Sequence, residues 1–570
     1  MNHQRLPRLL FLFFAGWIFI ISCNNSPRTS GVKKIVDDPE RMDQETSESI
    51  REALTFALQN NGLIDDSTRL SFLPLVNDYY EKAEYQNVWS HKERWEPLSD
   101  SLISFIQTGE LYGLFPKDYH LENLLTMKRT LEVDSLKKMD AEMWAKADMV
   151  FTEGFMHLLK DIKIGRLSPD SILFNKIDTL TPRDFYTASL KTFAGQKQLT
   201  ELINAAEPKV NGYIELKKCI PLFLDSMDRK QYTYVPYPFK VNDVKDSMFF
   251  IKKFQKRLRE SGYVRQDSIA TDSSLLNAAI KRFQKKKGIK QDGKISASLI
   301  RLINLSDVER FKRIAITLDR YKQLPPVMPE KYILVNLPSY YMDVWDHDSV
   351  AIRSKIICGK PDTRTPLLNS VISDMVTYPT WTVPNSIIAK QYLPKLKVNP
   401  NYLSGIGLHL VNDKGETIDP NTVNWSKYKK GIPFKVMQGS GDDNALGILK
   451  FNFNNPYSVY LHDTNQRYLF KNASRALSHG CVRVEQWEEL AFFIARNDSM
   501  NLKPGDSLRY NTDTIVNLLA RKEKKRLVVK NGLPLFIAYF SCEGRGGKIK
   551  FYDDIYGEDK VMREKYFSEK

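Results

Sequence analysis

Residues 459–484 read VYLHDTNQRYLFKNASRALSHGCVRV. A strand-like run opens the stretch, Tyr460-Leu461-His462-Asp463-Thr464, and Ser478-His479-Gly480-Cys481-Val482-Arg483 closes it. Cys481 follows a glycine, precedes an arginine by two positions and has two histidines upstream. A thiol attacks carbonyls as its thiolate, so it needs a base and nearby positive charge. His462 lies on a separate element and can be aimed independently of the thiol. His479, two residues away, must share one local backbone geometry with it. Arg483 adds positive field, and Gly480, with no Cβ, lets backbone N–H groups crowd toward an oxyanion. Asp463 adjoins His462 but would point the opposite way on a strand, so a Cys-His-Asp triad is not assumed.

Short apolar runs broken by Pro and Gly surround this stretch. Residues 332–337, 340–345 and 349–358 read as strands, the last two as a hairpin about Asp346-His347-Asp348. Further strands are expected at 371–378, 434–438, 448–453, 535–540 and 548–552, with a helix at 485–496. Such a series predicts a β-sandwich or barrel-like core over residues 330–515. Residues 392–433 are less strand-like. They read as an insertion capping the site, since long segments with little structure of their own are often lids. Residues 516–570 are expected to complete this domain or the helical region ahead of it.

Upstream, residues 47–240 carry helix periodicity, for example Ile50, Ala53-Leu54 and Ala57-Leu58. His157 on one of these helices reads as structural. Residues 243–305 form a small basic module: two amphipathic helices, a turn at Gln291-Asp292-Gly293-Lys294-Ile295, and a third helix. Residues 1–23 combine Arg5 and Arg8 with the apolar run LLFLFFAGWIFII, shorter than the 20 or so residues of a full span. A positive flank and a short apolar core fit a signal peptide. Residues 24–46 read as a polar linker.

The chain has 570 residues, 42% hydrophobic and 27% charged, which fits several globular domains rather than a disordered scaffold. The net charge of +16 suits an anionic partner. No zinc-finger spacing, RNA-binding aromatic motif or Walker loop points to nucleic acid or nucleotide. The five cysteines, Cys23, Cys219, Cys358, Cys481 and Cys542, include no CxxC pair, so no metal site or dense disulfide framework is expected.

Several motifs occur together in order: Gly359-Lys360-Pro361, Pro379-Thr380-Trp381-Thr382-Val383-Pro384, Asn444-Ala445-Leu446-Gly447, His462-Asp463-Thr464 and Ser478-His479-Gly480-Cys481-Val482-Arg483. Together they resemble the L,D-transpeptidase (YkuD-type) catalytic domain. Asp553-Asp554-Ile555-Tyr556-Gly557 is similar to the C-terminus of its large multidomain members. Tyr79-Tyr80, Trp89, Gly113-Leu114, Asp118-Tyr119 and Gly165-Arg166-Leu167 resemble their scaffold region. The module at 243–305 is similar to a three-helix peptidoglycan-binding domain through Phe283-Gln284 and Asp292-Gly293, with Ser296 where that family has a second glycine. Ile20-Ile21-Ser22-Cys23 looks like a bacterial lipobox.

The resemblance implies a multidomain α+β lipoprotein: helical scaffold, peptidoglycan-binding-like domain and β-rich catalytic domain with an insertion. It implies Cys481 as nucleophile, His462 as base, and Gly480 and His479 as oxyanion or motif residues. Ser478 and Arg483 are carried over as substrate-positioning or structural residues, with Asn444 placed beside them as a motif residue of the substrate side. It implies no cofactor and no metal. Its partners would be peptidoglycan stem peptides and glycan, with a carbapenem as inhibitor and no nucleic acid. The reaction implied is 3→3 cross-linking through a cysteine thioester with release of D-alanine. Hydrolysis of the thioester would instead make an L,D-carboxypeptidase, and an inert Cys481 would leave a wall-binding protein. Lipidation of Cys23 would hold the chain at a membrane, facing the periplasm.

Overall fold

The computed structural model describes residues 33–167, 183–196, 198–236, 244–264, 273–501 and 510–567. The expected signal peptide and Cys23 lie outside them. Helix Met42–Gln59, preceded by a 3-10 turn at Pro39–Arg41, begins inside the stretch expected to be linker. Its buried Ile50, Ala53, Leu54 and Ala57 carry the apolar period that predicted it.

The chain divides into two compact units, residues 1–100 with 122–156, and residues 101–121 with 157–570. In the first, the aromatic scaffold motif is anchored on two buried polar side chains. Tyr80 donates to Asp148 at 2.6 Å, the Trp89 amide donates to the same carboxylate at 2.9 Å, and the Trp89 indole donates to Thr152 at 2.8 Å. Trp89 packs on Phe151 with ring centroids 5.4 Å apart.

In the second unit, helix Asp307–Tyr321 is the hub. Gly113 has φ +71°, and a Cβ there would fall 2.7 Å from Leu318 Cδ1, so the Gly113-Leu114 motif is set by close approach to that helix. Arg166 donates to Asp319 at 3.3 Å and to the Gly113 carbonyl at 2.8 Å. The side chain of His157 lies 3.3 Å from the buried carboxylate of Asp161, which also accepts from Tyr119 at 2.8 Å.

The basic module consists of helices Val244–Glu260, Ser273–Lys286 and Ala297–Ile303. They close on Phe250, Phe254, Leu258, Ile280, Phe283 and Ile300. Gln284 donates to Asp292 and accepts from the Gly293 amide, both at 2.9 Å, which explains why those residues mark the turn. Ser296 caps the third helix through its hydroxyl, which accepts from Leu299 N at 3.2 Å, a role the family's glycine could not fill through a side chain.

The β-rich region is a nine-stranded sheet of β1 (Lys331–Asn336), β2 (Tyr341–Asp346), β3 (Ser349–Gly359), β4 (Leu368–Thr377), β5 (Leu449–Phe453), β6 (Leu461–His462), β7 (Ala476–Ser478), β8 (Val482–Val484) and β9 (Lys525–Ala538). The spatial order is β7-β3-β8-β6-β5-β4-β9-β1-β2, and β2 also pairs with β3. Eight strands therefore close into a ring, the barrel-like alternative of the sequence reading, with β7 flanking β3. Ile333, Val335, Met342, Ile356, Met375, Phe451, Leu461, Val482 and Ile537 form its core, sealed by helix Trp487–Met500 through Leu490 and Ile494. The C-terminal segment divides its duties. β9 lies between β4 and β1 as an integral stave, whereas the hairpin Cys542–Arg545/Lys548–Phe551 packs with helix Asn211–Asp225.

The insertion differs from the expectation. It is a folded module rather than a segment of little structure, and it is longer than 392–433. Strands Trp381–Thr382, Lys435–Gln438, Leu408–Val411 and Thr417–Ile418 form a separate four-stranded sheet. They enclose their own core of Val383, Ile388, Leu396, Leu408, Leu410, Trp425 and Val436. Its strands are two to four residues long and separated by Pro and Gly, too short for a period-two pattern to register.

Candidate active site

Strands β6 and β8 run parallel with Leu461 opposite Val482 and His462 opposite Arg483. Alternation along each strand puts Leu461 and Val482 into the core, both fully buried. Tyr460 and His462 share the other face with Cys481 and Arg483. β5 adds Lys450 to that face, because Lys450 is opposite His462 and Phe451 opposite Leu461. Three neighbouring strands thus bring five reactive or charged side chains to one surface.

Cys481 is a free thiol, partly open to solvent. Burial pushes its pKa up. Tyr460, then the charges of Lys450 and Arg483, act in the opposite direction without reversing the shift. Among the described residues no hydrogen bond joins His462 to Cys481. His462 is 4% exposed and held neutral, its pKa pushed down to about 3 by burial and then by the Arg483 charge. The backbones of Asp463 and Leu446 favour its proton, yet neither meets Nδ1 with hydrogen-bonding geometry, and that nitrogen is buried without a partner. Desolvation opposes charge on both groups, so a resting thiolate–imidazolium pair is disfavoured. Asp463 is turned away. Its carboxylate accepts from Ile448 N at 3.1 Å and from Arg467 at 2.8 Å.

The turn carrying Cys481 is held by its own hydroxyl. Ser478 Oγ donates to the Cys481 carbonyl at 2.6 Å and accepts from the Gly480 amide at 3.1 Å. Gly480 has φ +125°, a conformation that requires glycine. Its carbonyl accepts from Thr365 Oγ1 at 2.8 Å, which in turn accepts from Gly359 N at 2.9 Å. Tyr556 braces this loop, donating to the Gly359 carbonyl at 2.7 Å and accepting from Thr365 N at 3.2 Å. Asp554 holds Tyr539 at 2.6 Å, and Tyr539 Oη accepts from the Tyr556 amide at 3.0 Å. The late Asp553-Asp554-Ile555-Tyr556-Gly557 motif is thus a support for the cysteine turn.

Several expected roles change. The Gly480 N–H is taken by the Ser478 hydroxyl rather than being free for an oxyanion. Ser478 is buried with its hydroxyl donating and accepting within the turn, the structural one of its two expected roles. Asn444, 1% exposed, donates to the Gly439 carbonyl at 2.7 Å and accepts from Leu446 N at 2.8 Å, so it folds the 439–447 turn rather than binding a ligand. His479 reaches out of the turn. It is exposed and bonds Gln391 in the π-helical turn Ile388–Tyr392 of the inserted module. Arg483 reaches the site and donates to Gln466 at 3.0 Å. Tyr460 and Lys450 escaped the sequence reading. Period two from His462 marks Tyr460, but Lys450 has no local signal because strand register alone brings it there. A separate cavity of about 630 Å³, lined by Arg301, Glu309, Arg313, Asp559 and Arg563 among others, contains no residue of the cysteine turn. Two of its arginines are paired, Arg313 with Asp559 and Arg563 with Glu309.

Comparison with known proteins agrees with this architecture. Residues 330–507 match the L,D-transpeptidase catalytic domain (YkuD), residues 74–219 a scaffold domain and residues 250–303 a "Putative peptidoglycan binding domain". The chain therefore carries a YkuD-type L,D-transpeptidase catalytic domain together with scaffold and peptidoglycan-binding domains. Among individual proteins it is similar to a "Putative L,D-transpeptidase" of Haemophilus influenzae, 32% identical over 251 residues, which are 44% of this chain and 49% of that one. The match thus spans about half the length of that relative. Solved structures with local similarity include the catalytic domain of the E. faecium L,D-transpeptidase acylated by ertapenem (14% identity, 37% of this chain and 98% of that one, TM-score 0.17). Another is the L,D-transpeptidase from Mycobacterium smegmatis (12% identity, 36% and 58%, TM-score 0.18).

Proposed function

We propose that this protein is a peptidoglycan L,D-transpeptidase acting through a Cys481 thioester. Cys481 Sγ attacks the carbonyl of the third stem residue of a tetrapeptide while its proton passes to His462. His462 returns that proton to the departing D-alanine amine as the C–N bond breaks. The side-chain amine of a second stem then attacks the thioester, forms the 3→3 amide and restores the thiol. Burial keeps His462 in its neutral form, the form that can act as a base. The observation that carries the reading is the gathering of Cys481, His462 and Arg483 on one face of a YkuD-type barrel. The same reading makes Cys481 the site of acylation by a carbapenem. It includes an N-terminal address: cleavage before Cys23, lipidation of that cysteine and a periplasmic position. Metabolic labelling with a fatty acid, lost in Cys23→Ser, tests that address.

The reaction is tested with the chain lacking residues 1–23, incubated with disaccharide tetrapeptide and read by mass spectrometry beside Cys481→Ala. A cross-linked dimer short of one D-alanine, absent in the variant, is expected. Tripeptide alone would make the protein an L,D-carboxypeptidase. No product, and no mass added by a carbapenem, would leave a wall-binding protein.

A further inference from the structure

We infer that Lys450 is a specificity-determining residue of the donor site, its ammonium anchoring the terminal carboxylate of the departing D-alanine. The inference rests on the Cys481–His462 reaction proposed above and names the part of the stem that Lys450 reads. Three observations carry it. First, strand register places Lys450 directly opposite His462, on the same face of the sheet. In the proposed reaction His462 returns the proton to the departing amine. The carboxylate of that amino acid lies only about 2.5 Å from its own amine nitrogen, so a substrate seated for the proton transfer holds its carboxylate within reach of the strands flanking His462. Second, Lys450 Nζ lies over the Tyr460 ring, 3.8 Å from the centroid. Leu461 is opposite Val482, so Tyr460 stands at the level of Cys481, and the ammonium leans from the level of His462 back toward that of the thiol. A ring face holds an ammonium through its quadrupole without neutralising it, which leaves its charge and donors available to an anion. Third, among the described residues Lys450 forms no ion pair. The carboxylates on adjoining strands are engaged elsewhere, Asp374 with Arg526 at 3.0 Å and with Asn452 at 2.6 Å, and Asp463 with Arg467 at 2.8 Å.

Arg483 flanks His462 on the other side, on β8. Its guanidinium donates to Gln466 at 3.0 Å and is therefore directed into the segment that follows β6, whereas Lys450 leans toward the thiol. The side chains gathered on this face, Cys481, His462, Tyr460, Lys450 and Arg483, include two cations and no carboxylate, so the counter-anion arrives with the substrate. An ammonium is a compact point charge on a flexible stem, suited to reading the presence of a carboxylate rather than the shape of the residue that bears it. A further residue on the stem would turn that carboxylate into a neutral amide. The anchor thus selects stems that end at the fourth residue.

The test compares wild type with Lys450→Met, each as the full chain lacking residues 1–23, on disaccharide tetrapeptide and on the same stem with its terminal carboxylate converted to a carboxamide. The readout is the ratio of the two kcat/KM values, followed as D-alanine or D-alaninamide released. Wild type is expected to favour the carboxylate roughly 10- to 100-fold, the worth of one hydrogen bond to a charged group. Lys450→Met should bring the ratio to within about threefold of unity by slowing the carboxylate substrate alone, and Lys450→Arg should keep most of the preference. A Lys450 that acted only on the thiol's charge or on packing would slow both substrates equally and leave the ratio unmoved. A wild-type ratio near unity, or a Lys450→Met ratio within about twofold of wild type, would overturn the inference; if Lys450→Met fails to fold, Lys450→Gln decides it by the same criterion. Loss of the preference in Arg483→Gln with Lys450→Met unchanged would give the carboxylate to Arg483 instead. Failure of the underlying reaction has a separate signature. No release from either substrate by wild type, or undiminished release by Cys481→Ala, would remove the reaction on which the inference stands.

Discussion

Removing one oxygen from Tyr556 should loosen the nucleophile from a distance. In Tyr556→Phe the ring keeps its place, 5% exposed, in the barrel core. The Gly359 carbonyl and the Thr365 amide, at 2.7 and 3.2 Å, both lose a partner. A buried group left without its bond costs about 1–3 kcal/mol, so the pair should cost about 2–5 kcal/mol. For a domain of about 200 residues that corresponds to a fall of roughly 5–15 °C in unfolding temperature. Thr365 also holds the Gly480 carbonyl at 2.8 Å, so a relaxed loop shifts the residue before the nucleophile. Misplacement by about 1 Å can cost about 100-fold in rate, and carbapenem acylation should slow by roughly 10- to 100-fold. The assay pairs calorimetric unfolding with single-turnover acylation followed by mass. Unfolding within 2 °C of wild type, together with acylation within about twofold, would refute the bracing role.

Gly447→Ala should disrupt the same surface from the other side, since φ there is +63° and the new Cβ would lie 2.2 Å from Asp463 Oδ2. Loss of several kcal/mol in denaturant unfolding is expected, whereas near-wild-type stability would show that Asp463 yields freely. His462 gives a pH signature. Its folded pKa is lowered to about 3 from an ordinary 6.5, so below pH 6.5 the unfolded chain binds more protons, and stability falls as pH drops toward 3. The slope should be about 1.4 kcal/mol per pH unit and should vanish in His462→Phe; an unchanged slope in that variant would assign the acid sensitivity elsewhere. Ending the chain after Ala520 should leave the barrel unfolded although the catalytic-domain match stops at residue 507, because β9 joins β4 to β1. A soluble, carbapenem-reactive truncation would contradict that.

The legible parts of this chain were those whose cause is local. The apolar period of Met42–Gln59 and of the three small-module helices, the alternation of β1, and the Ser-His-Gly-Cys turn all express constraints within a few residues. The inserted module was misread because its strands are too short to show a period. The roles of Asn444 and Ser478 are not legible in the sequence, because a polar residue in a motif looks the same whether its hydrogen bonds end on backbone or on substrate. That distinction depends on burial, and burial depends on what packs above.

The chain's own order of residues carries the order of the domains and the thiol with its upstream histidine, and strand alternation, a property of neighbouring bonds, already argues against assuming an Asp463 triad. The three-dimensional packing is what makes burial disfavour charge on His462, what lets Tyr556 brace the cysteine turn from the far end of the chain, and what brings Tyr460 and Lys450 to the face that carries the thiol. Each of these follows from strand register and desolvation. Register pairs residues such as Lys450 and His462 across strands, and desolvation is set by everything packed around a group rather than by its own neighbours.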